Sequence, residues 1–97
     1  MVIIYQNKFE TFFKDHADAR KSLYVWKIIT AKAVWKSKQD VLTDFPKAKM
    51  IRNNRARFEI AHNTYRLIAH INYENEIVEI RFIGTHSEYD KIDPETI

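Results

Sequence analysis

The sequence predicts an α+β fold: a small twisted antiparallel sheet packed on an N-terminal helical hairpin. Three observations carry that expectation. Apolar residues recur at helical spacing through the first third of the chain. Three consecutive segments of the second half alternate apolar and polar with period two. Only one glycine and two prolines punctuate 97 residues, so connections are short. That length makes one domain, with no room for a second core. A hydrophobic fraction of 45% with 13% aromatic residues is enough to pack it, unlike a disordered chain. Cysteine is absent, which excludes disulfides and thiolate zinc sites.

Val2-Ile3-Ile4-Tyr5 reads as a first strand. Asn7 caps the helix that follows, with Glu10 three residues on as its capping-box partner. Phe9, Phe12, Phe13 and His16 lie along that helix. Asp18 opens a second helix of roughly five turns that runs to Lys36–Lys38. Its apolar side chains split into two stripes at 100° per residue. One is Ala19, Leu23, Trp26, Ile29, Ala33 and Val34; the other is Tyr24, Ile28, Ala31 and Trp35. A helix apolar on two sides must bury both or offer one to a partner: either the first helix covers one stripe and the sheet the other, or the stripe around Trp35 is a protein-binding face.

Asp40 to Pro46 is a turn-rich connector, and Lys47 to Arg55 a basic, amide-rich stretch, part strand and part loop. The three alternating segments are Arg55–Ala61, Thr64–Asn72 and Glu76–Ile83. A shared apolar face fixes their register. The first hairpin then closes on His62-Asn63 and the second on Tyr73–Glu76. Glu59 faces Arg66, Arg57 faces Ile68, Glu79 faces His70, and Arg81 also faces Ile68. Arg57, Arg66 and Arg81 thereby share the open face within about one strand spacing, roughly 5 Å. Gly84 ends the last strand, so that His86 and Tyr89 turn back over that face.

Charge runs in blocks. Lys47 to Asn72 holds six basic residues against Glu59 alone, whereas Tyr73 to Ile97 holds seven acidic residues and two basic. The basic middle is a candidate polyanion surface. A salt-bridge-laced solvated face using Glu59 and Glu79 is the bland alternative. Exposed pairs contribute only about 0–1 kcal/mol each, so stability is a weak reason for the cluster; a phosphate gripped by forked arginine contacts is a better one. Arginines in strands with a histidine and a tyrosine beyond them are the vocabulary of metal-free phosphodiester chemistry. No cofactor is called for. His62, His70 and His86 fall in separate segments without ligand spacing, so no metal site is expected.

Asn53-Asn54-Arg55, Asn63-x-Tyr65-Arg66-Leu67-Ile68 and Ile80-Arg81-Phe82-Ile83-Gly84-Thr85-His86-x-Glu88-Tyr89-Asp90 resemble the signature of the HigB family of toxins, within the RelE superfamily of toxin–antitoxin endoribonucleases. The opening, the Lys/Trp-rich second helix and Asp44-Phe45-Pro46 are also similar. The resemblance spans nearly the whole chain and implies a RelE-like fold. It also implies an mRNA interferase that cleaves translated message in the ribosomal A site. The implied partner is a cognate antitoxin, a HigA-like helix-turn-helix protein, through which alone operator DNA is contacted. A cytoplasmic location without a membrane partner follows. Residue by residue, Arg66 matches the strand arginine facing the scissile phosphate, and Arg81 an arginine recurrent in the HigB group. His86 stands where relatives carry histidine or arginine, and Tyr89 matches the C-terminal aromatic that supports catalysis or stacks on a base. Catalysis is expected from Arg66, Arg81, His86 and Tyr89. RNA backbone contacts are expected from Lys47, Lys49, Arg52, Asn54, Arg55 and Arg57. Glu59 departs from the family pattern, which favours an amide there. The rival reading is a non-catalytic basic RNA- or protein-binding module.

Overall fold

The computed structural model describes residues 1–97. β1 (Val2–Ile4) leads into α1 (Asn7–Asp15), a 3-10 turn (Ala17–Ala19), α2 (Arg20–Lys32) and α3 (Lys38–Asp44). The sheet strands β2 (Lys49–Ile51), β3 (Arg55–Ile60), β4 (Tyr65–Asn72) and β5 (Ile77–Thr85) follow, and α4 (His86–Tyr89) is a single turn. Strand order is β1-β5-β4-β3-β2. The meander β2–β5 is antiparallel as expected, but β1 lies parallel to β5, pairing Ile3 with Val78. The sheet is therefore mixed. The helical segment and the meander together supply the long crossover that a parallel pair requires.

The helices cover one face. Phe9, Leu23, Trp26, Trp35 and Val41 bury against Phe58, Leu67, Ile71, Val78 and Ile80. Trp26 sits edge-on to both Phe9 and Phe58, at 5.8 and 5.4 Å between ring centroids. Such arrangements add about 0.5–1.5 kcal/mol per pair beyond the area they bury.

The helical expectations need two corrections. Asn7 is the first residue of α1 rather than its cap: Gln6 occupies that place without a side-chain cap bond. α2 stops at Lys32, and Ala33 is extended. The reason is Trp35. It leaves the helix and is 1% exposed. Its ring stacks on Phe58, and its Nε1–H donates to Asp44 Oδ2 at 2.8 Å. Burying the indole outweighs the helical hydrogen bonds given up. Trp35 is thus core, not the centre of a partner face.

The hairpin register matches the sequence reading through most of its length. Glu59 pairs with Arg66, Arg57 with Ile68, and His70 with Glu79. Ala61, His62 and Asn63 all take left-handed backbone in the first turn. The exception is at Arg81. Ala69 pairs with Ile80, but Ile68 pairs with Phe82, leaving Arg81 as the extra residue of a β-bulge. One extra residue inverts the parity of everything beyond it. Phe82, expected on the helical face, moves to the open face, and Ile83 takes its place opposite Leu67.

Candidate active site

The open face is built in rows across the sheet. Lys49, Arg57, Ile68 and Phe82 form one row, and Glu59, Arg66 and Gly84 the next. Ile68 is completely buried although it lies outside the main core. It forms an apolar floor between Arg57 and Phe82.

The strand does not end at Gly84, as the sequence reading has it; β5 continues through Thr85. The glycine serves close approach instead. A Cβ there would come within 2.6 Å of the Phe82 ring and 3.1 Å of Glu88 Oε1. The turn back over the sheet belongs to Thr85, the N-cap of α4. Its hydroxyl accepts from the Glu88 N–H at 3.2 Å, and Glu88 Oε1 accepts from the Thr85 N–H at 2.9 Å. This is a complete capping box. The hydrogen bonds from Thr85 to the carboxylate hold the Glu88 carboxyl below its usual range.

The capped turn brings Tyr89 over the open face. Its ring lies 6.3 Å from Phe82, 5.0 Å from the Arg66 guanidinium carbon and 5.9 Å from that of Arg57. Both arginines present cations to the ring face, an attraction of about 0.5–2 kcal/mol. Arg57 and Arg66 are diagonal neighbours on adjacent strands, about 7–8 Å apart along the backbone and closer at their side chains. Neither has a carboxylate within ion-pair distance; the salt bridges of the chain lie elsewhere. Glu59 stands opposite Arg66 in register yet does not pair with it. The Nε atoms of both arginines are buried without an acceptor. An unmet buried donor costs about 1–3 kcal/mol. Arg81 Nε is orphaned in the same way, so what sets Arg57 and Arg66 apart is that neither has a carboxylate beside it, whereas Arg81 has Glu79.

His86 opens the same turn and is exposed. Its Nε2 meets the backbone oxygen of Asn63 in the β3–β4 turn. A carbonyl only accepts, so Nε2 carries the hydrogen and Nδ1 is left as the nitrogen able to take a proton.

Arg81 is set apart from this group. Its Nη1 lies 3.8 Å from Glu79 Oε2, and His70 Nδ1 lies 3.3 Å from Glu79 Oε1. With Arg55 they line a separate recess of about 220 Å³. The bulge is the reason: it displaces Arg81 from its expected position opposite Ile68. The basic residues expected to hold RNA backbone also divide. Lys47 and Lys49 are exposed, and Lys49 stands beside Arg57 on the open face. Arg52 lies 3.9 Å from Glu95 Oε1. Asn54 is exposed in left-handed backbone, and its carbonyl accepts from Ile71 N–H. Arg55 is committed internally, donating from Nε and Nη2 to the Ile97 oxygen at 3.0 and 2.7 Å. Phe82 escapes a sequence reading because the bulge has no local signature, whereas Ile68 is where the register expects it, opposite Arg57.

The fold and its open face define a class: a basic α+β domain whose sheet gathers Arg57, Arg66 and Tyr89 beside the capped turn that carries His86. The HigB_toxin family model, described as the RelE-like toxic component of a toxin–antitoxin system, matches residues 19–92. The chain belongs to that family, and its mixed sheet with four helices is consistent with a RelE-like fold. No curated protein matches the chain. Membership makes the chain the toxic component of a pair, with a cognate antitoxin as its partner. No helix is long and apolar enough to cross a membrane.

Proposed function

We propose that the chain is an mRNA interferase, an endoribonuclease that cleaves translated message on the ribosome without a metal. The observation that carries this reading is the Arg57–Arg66 pair: two cations with no carboxylate partner and two orphaned Nε donors, converging on the ring of Tyr89. The 2′-hydroxyl of one nucleotide attacks its own 3′-phosphate in line, losing its proton as the P–O5′ bond breaks, which leaves a 2′,3′-cyclic phosphate and a 5′-oxygen that takes up a proton. Arg66, aided by Arg57, neutralises the charge that grows on the phosphoryl oxygens. Tyr89 holds a base or ribose against the arginines by stacking. His86, its ring fixed through Nε2, exchanges a proton at Nδ1 with the attacking or leaving oxygen. Arg81 sits one recess away and contributes through its charge on the neighbouring phosphate path. Lys47, Lys49 and Asn54 contact the backbone without reading sequence, Arg52 joins them from beside Glu95, and the ribosomal A site presents the substrate. A cytoplasmic setting, with operator DNA reached only through a HigA-like helix-turn-helix antitoxin, completes the reading.

Arg66→Ala tests it. Cleavage of message in a translating extract should fall about 10²–10³-fold, the loss expected for one charge-stabilising donor. Circular dichroism and thermal midpoint should stay near those of the parent. Undiminished cleavage by Arg66→Ala sinks the assignment. Binding of RNA by the parent with no cleavage at all favours the passive binding module instead.

A further inference from the structure

The helical side of the molecule carries a second feature that the arginine site does not use. α2 buries Leu23, Trp26 and Thr30 against the sheet, yet its outer side is apolar as well. At 100° per residue Tyr24, Ile28 and Ala31 fall in one stripe. All three are exposed, Tyr24 by 62% and Ile28 by 37%. Arg20 and Lys27 flank the stripe on one side, Lys21 and Lys32 on the other. None of the four has a carboxylate within ion-pair distance. At its N-terminal end the stripe opens into a groove between α1 and α2, about 800 Å³ in volume, whose wall includes Phe13 and Tyr24. Glu10 is the only acidic residue in that wall.

We propose that this stripe and groove are where the cognate antitoxin docks, through an amphipathic helix whose narrow apolar edge is flanked by aspartate and glutamate. The inference rests on family membership and not on the proposed cleavage chemistry. Four physical arguments select this occupant. The apolar stripe is about as wide as one helix edge, and the groove continues it, so a helix laid along α2 would cover both. Four unpaired cations around that edge select acidic flanks and reject basic ones. A second copy of this chain fits poorly, because a two-fold contact would set the same lysines against each other. RNA fits poorly too, since it would satisfy the lysines and leave Ile28 bare. The docking face lies on the helical side of the sheet, whereas Arg57 and Arg66 lie on the open side. The antitoxin's anchoring contact is thus separate from the arginine site.

The test uses the full chain and the full-length antitoxin that suppresses its toxicity, with affinity read by calorimetry. Ile28→Asp places a charge in the stripe, and Lys21→Glu with Lys27→Glu reverses its flanks. Each should weaken antitoxin binding about 30-fold or more, as for an interface hot spot. Because these side chains are exposed, both variants should fold and still arrest growth, and the antitoxin should no longer rescue the cells. Arg66→Ala should bind the antitoxin within about threefold of the parent. The proposal is overturned if both α2 variants keep near-parental affinity, or if only Arg66→Ala loses it, which would put the antitoxin on the arginine face. It is also overturned if the chain alone forms a dimer that Ile28→Asp dissolves. Loss of toxicity in Arg66→Ala bears on the cleavage reading alone.

Discussion

Gly84 shows how much one missing Cβ arranges. It stands opposite Arg66 on the open face, where any larger residue would occupy the space of the Phe82 ring. Gly84→Ala must push that ring aside, because the new atom would lie 2.6 Å from its far end. The ring is half-buried and can swing, so stability should fall by only about 1 kcal/mol, the low end for overpacking. Phe82 is also the neighbour of Tyr89, and the displaced ring moves the tyrosine away from Arg57 and Arg66. Activity in a translating extract should therefore fall by more than thermal unfolding suggests. A combined Gly84→Ala, Phe82→Leu variant should recover part of it. If the single variant is as active as the parent, the Phe82–Tyr89 contact is not what positions the ring. At this scale the sequence was only half legible. The lone glycine stood out, and its role looked like strand termination because glycine before a polar segment is a usual strand boundary. The clash that explains it depends on Phe82 facing outward, which depends in turn on an unsignalled bulge.

The one-turn helix α4 is too short to be stable by itself, so its cap decides whether Tyr89 and His86 are in place. Thr85→Ala removes the hydroxyl that accepts from Glu88 N–H and should cost about 0.5–2 kcal/mol of local stability. Faster amide exchange in residues 86–89, with protection of β4 intact, would report it. The cap also titrates. The Glu88 carboxyl is held low by the backbone and side-chain hydrogen bonds of Thr85. A group whose folded value is depressed stabilises above its unfolded value and loses that contribution as pH falls through the folded one. α4 should consequently loosen on the acid side of the ordinary carboxylate range, seen as a fall in Tyr89 ring contacts by NMR; Glu88→Gln should abolish this pH response. Tyr65 works in the opposite direction. Its hydroxyl donates to Asp18 Oδ1 at 2.6 Å, and that carboxylate, with burial, raises the phenol. Its contribution is complete below the ordinary phenol value and disappears as pH rises through the folded one. At the element scale the strands were the legible part, since alternation sets parity and parity sets register until a bulge intervenes. Pairings as far apart as Glu59 with Arg66 and His70 with Glu79 follow from it. The end of α2 was not legible, because helical periodicity runs on through Trp35 while the indole is captured by Asp44 and Phe45 at the end of the next helix and by Phe58 on the sheet.

Across the whole molecule the blocks of charge seen along the chain fold back on one another. The acidic last quarter returns over the basic middle: Arg52 approaches Glu95, Asn53 Nδ2 donates to the Glu95 carbonyl, and Arg55 forks onto the Ile97 oxygen. The pattern of charge was legible in the sequence, but the return path was not, since nothing local predicts which loop a turn-rich tail will meet. This folding back divides residues of one charge into two jobs, and salt separates them. A cation that binds phosphate releases counterions, so its removal lowers the slope of log K against log salt by about 0.7 for single-stranded RNA. Lys49→Ala should behave in that way, weakening RNA binding at low salt and flattening the dependence. Arg55→Ala should not. It breaks three hydrogen bonds from a charged donor, two to the Ile97 oxygen and one to the Asn53 carbonyl, worth about 1.5–3 kcal/mol each at most, and should appear in the urea midpoint. The salt slope should stay at the parental value, because Arg55 is already occupied by the chain's own oxygen. A parental urea midpoint with a reduced slope would reverse the assignment and return Arg55 to the RNA-contacting set. Removing residues 95–97 provides the complementary measurement. It frees Arg52 and Arg55 together, so RNA affinity at low salt should rise and the slope should steepen by about one unit or more. The same truncation should lower stability, since the tail that follows Tyr89 is then unanchored.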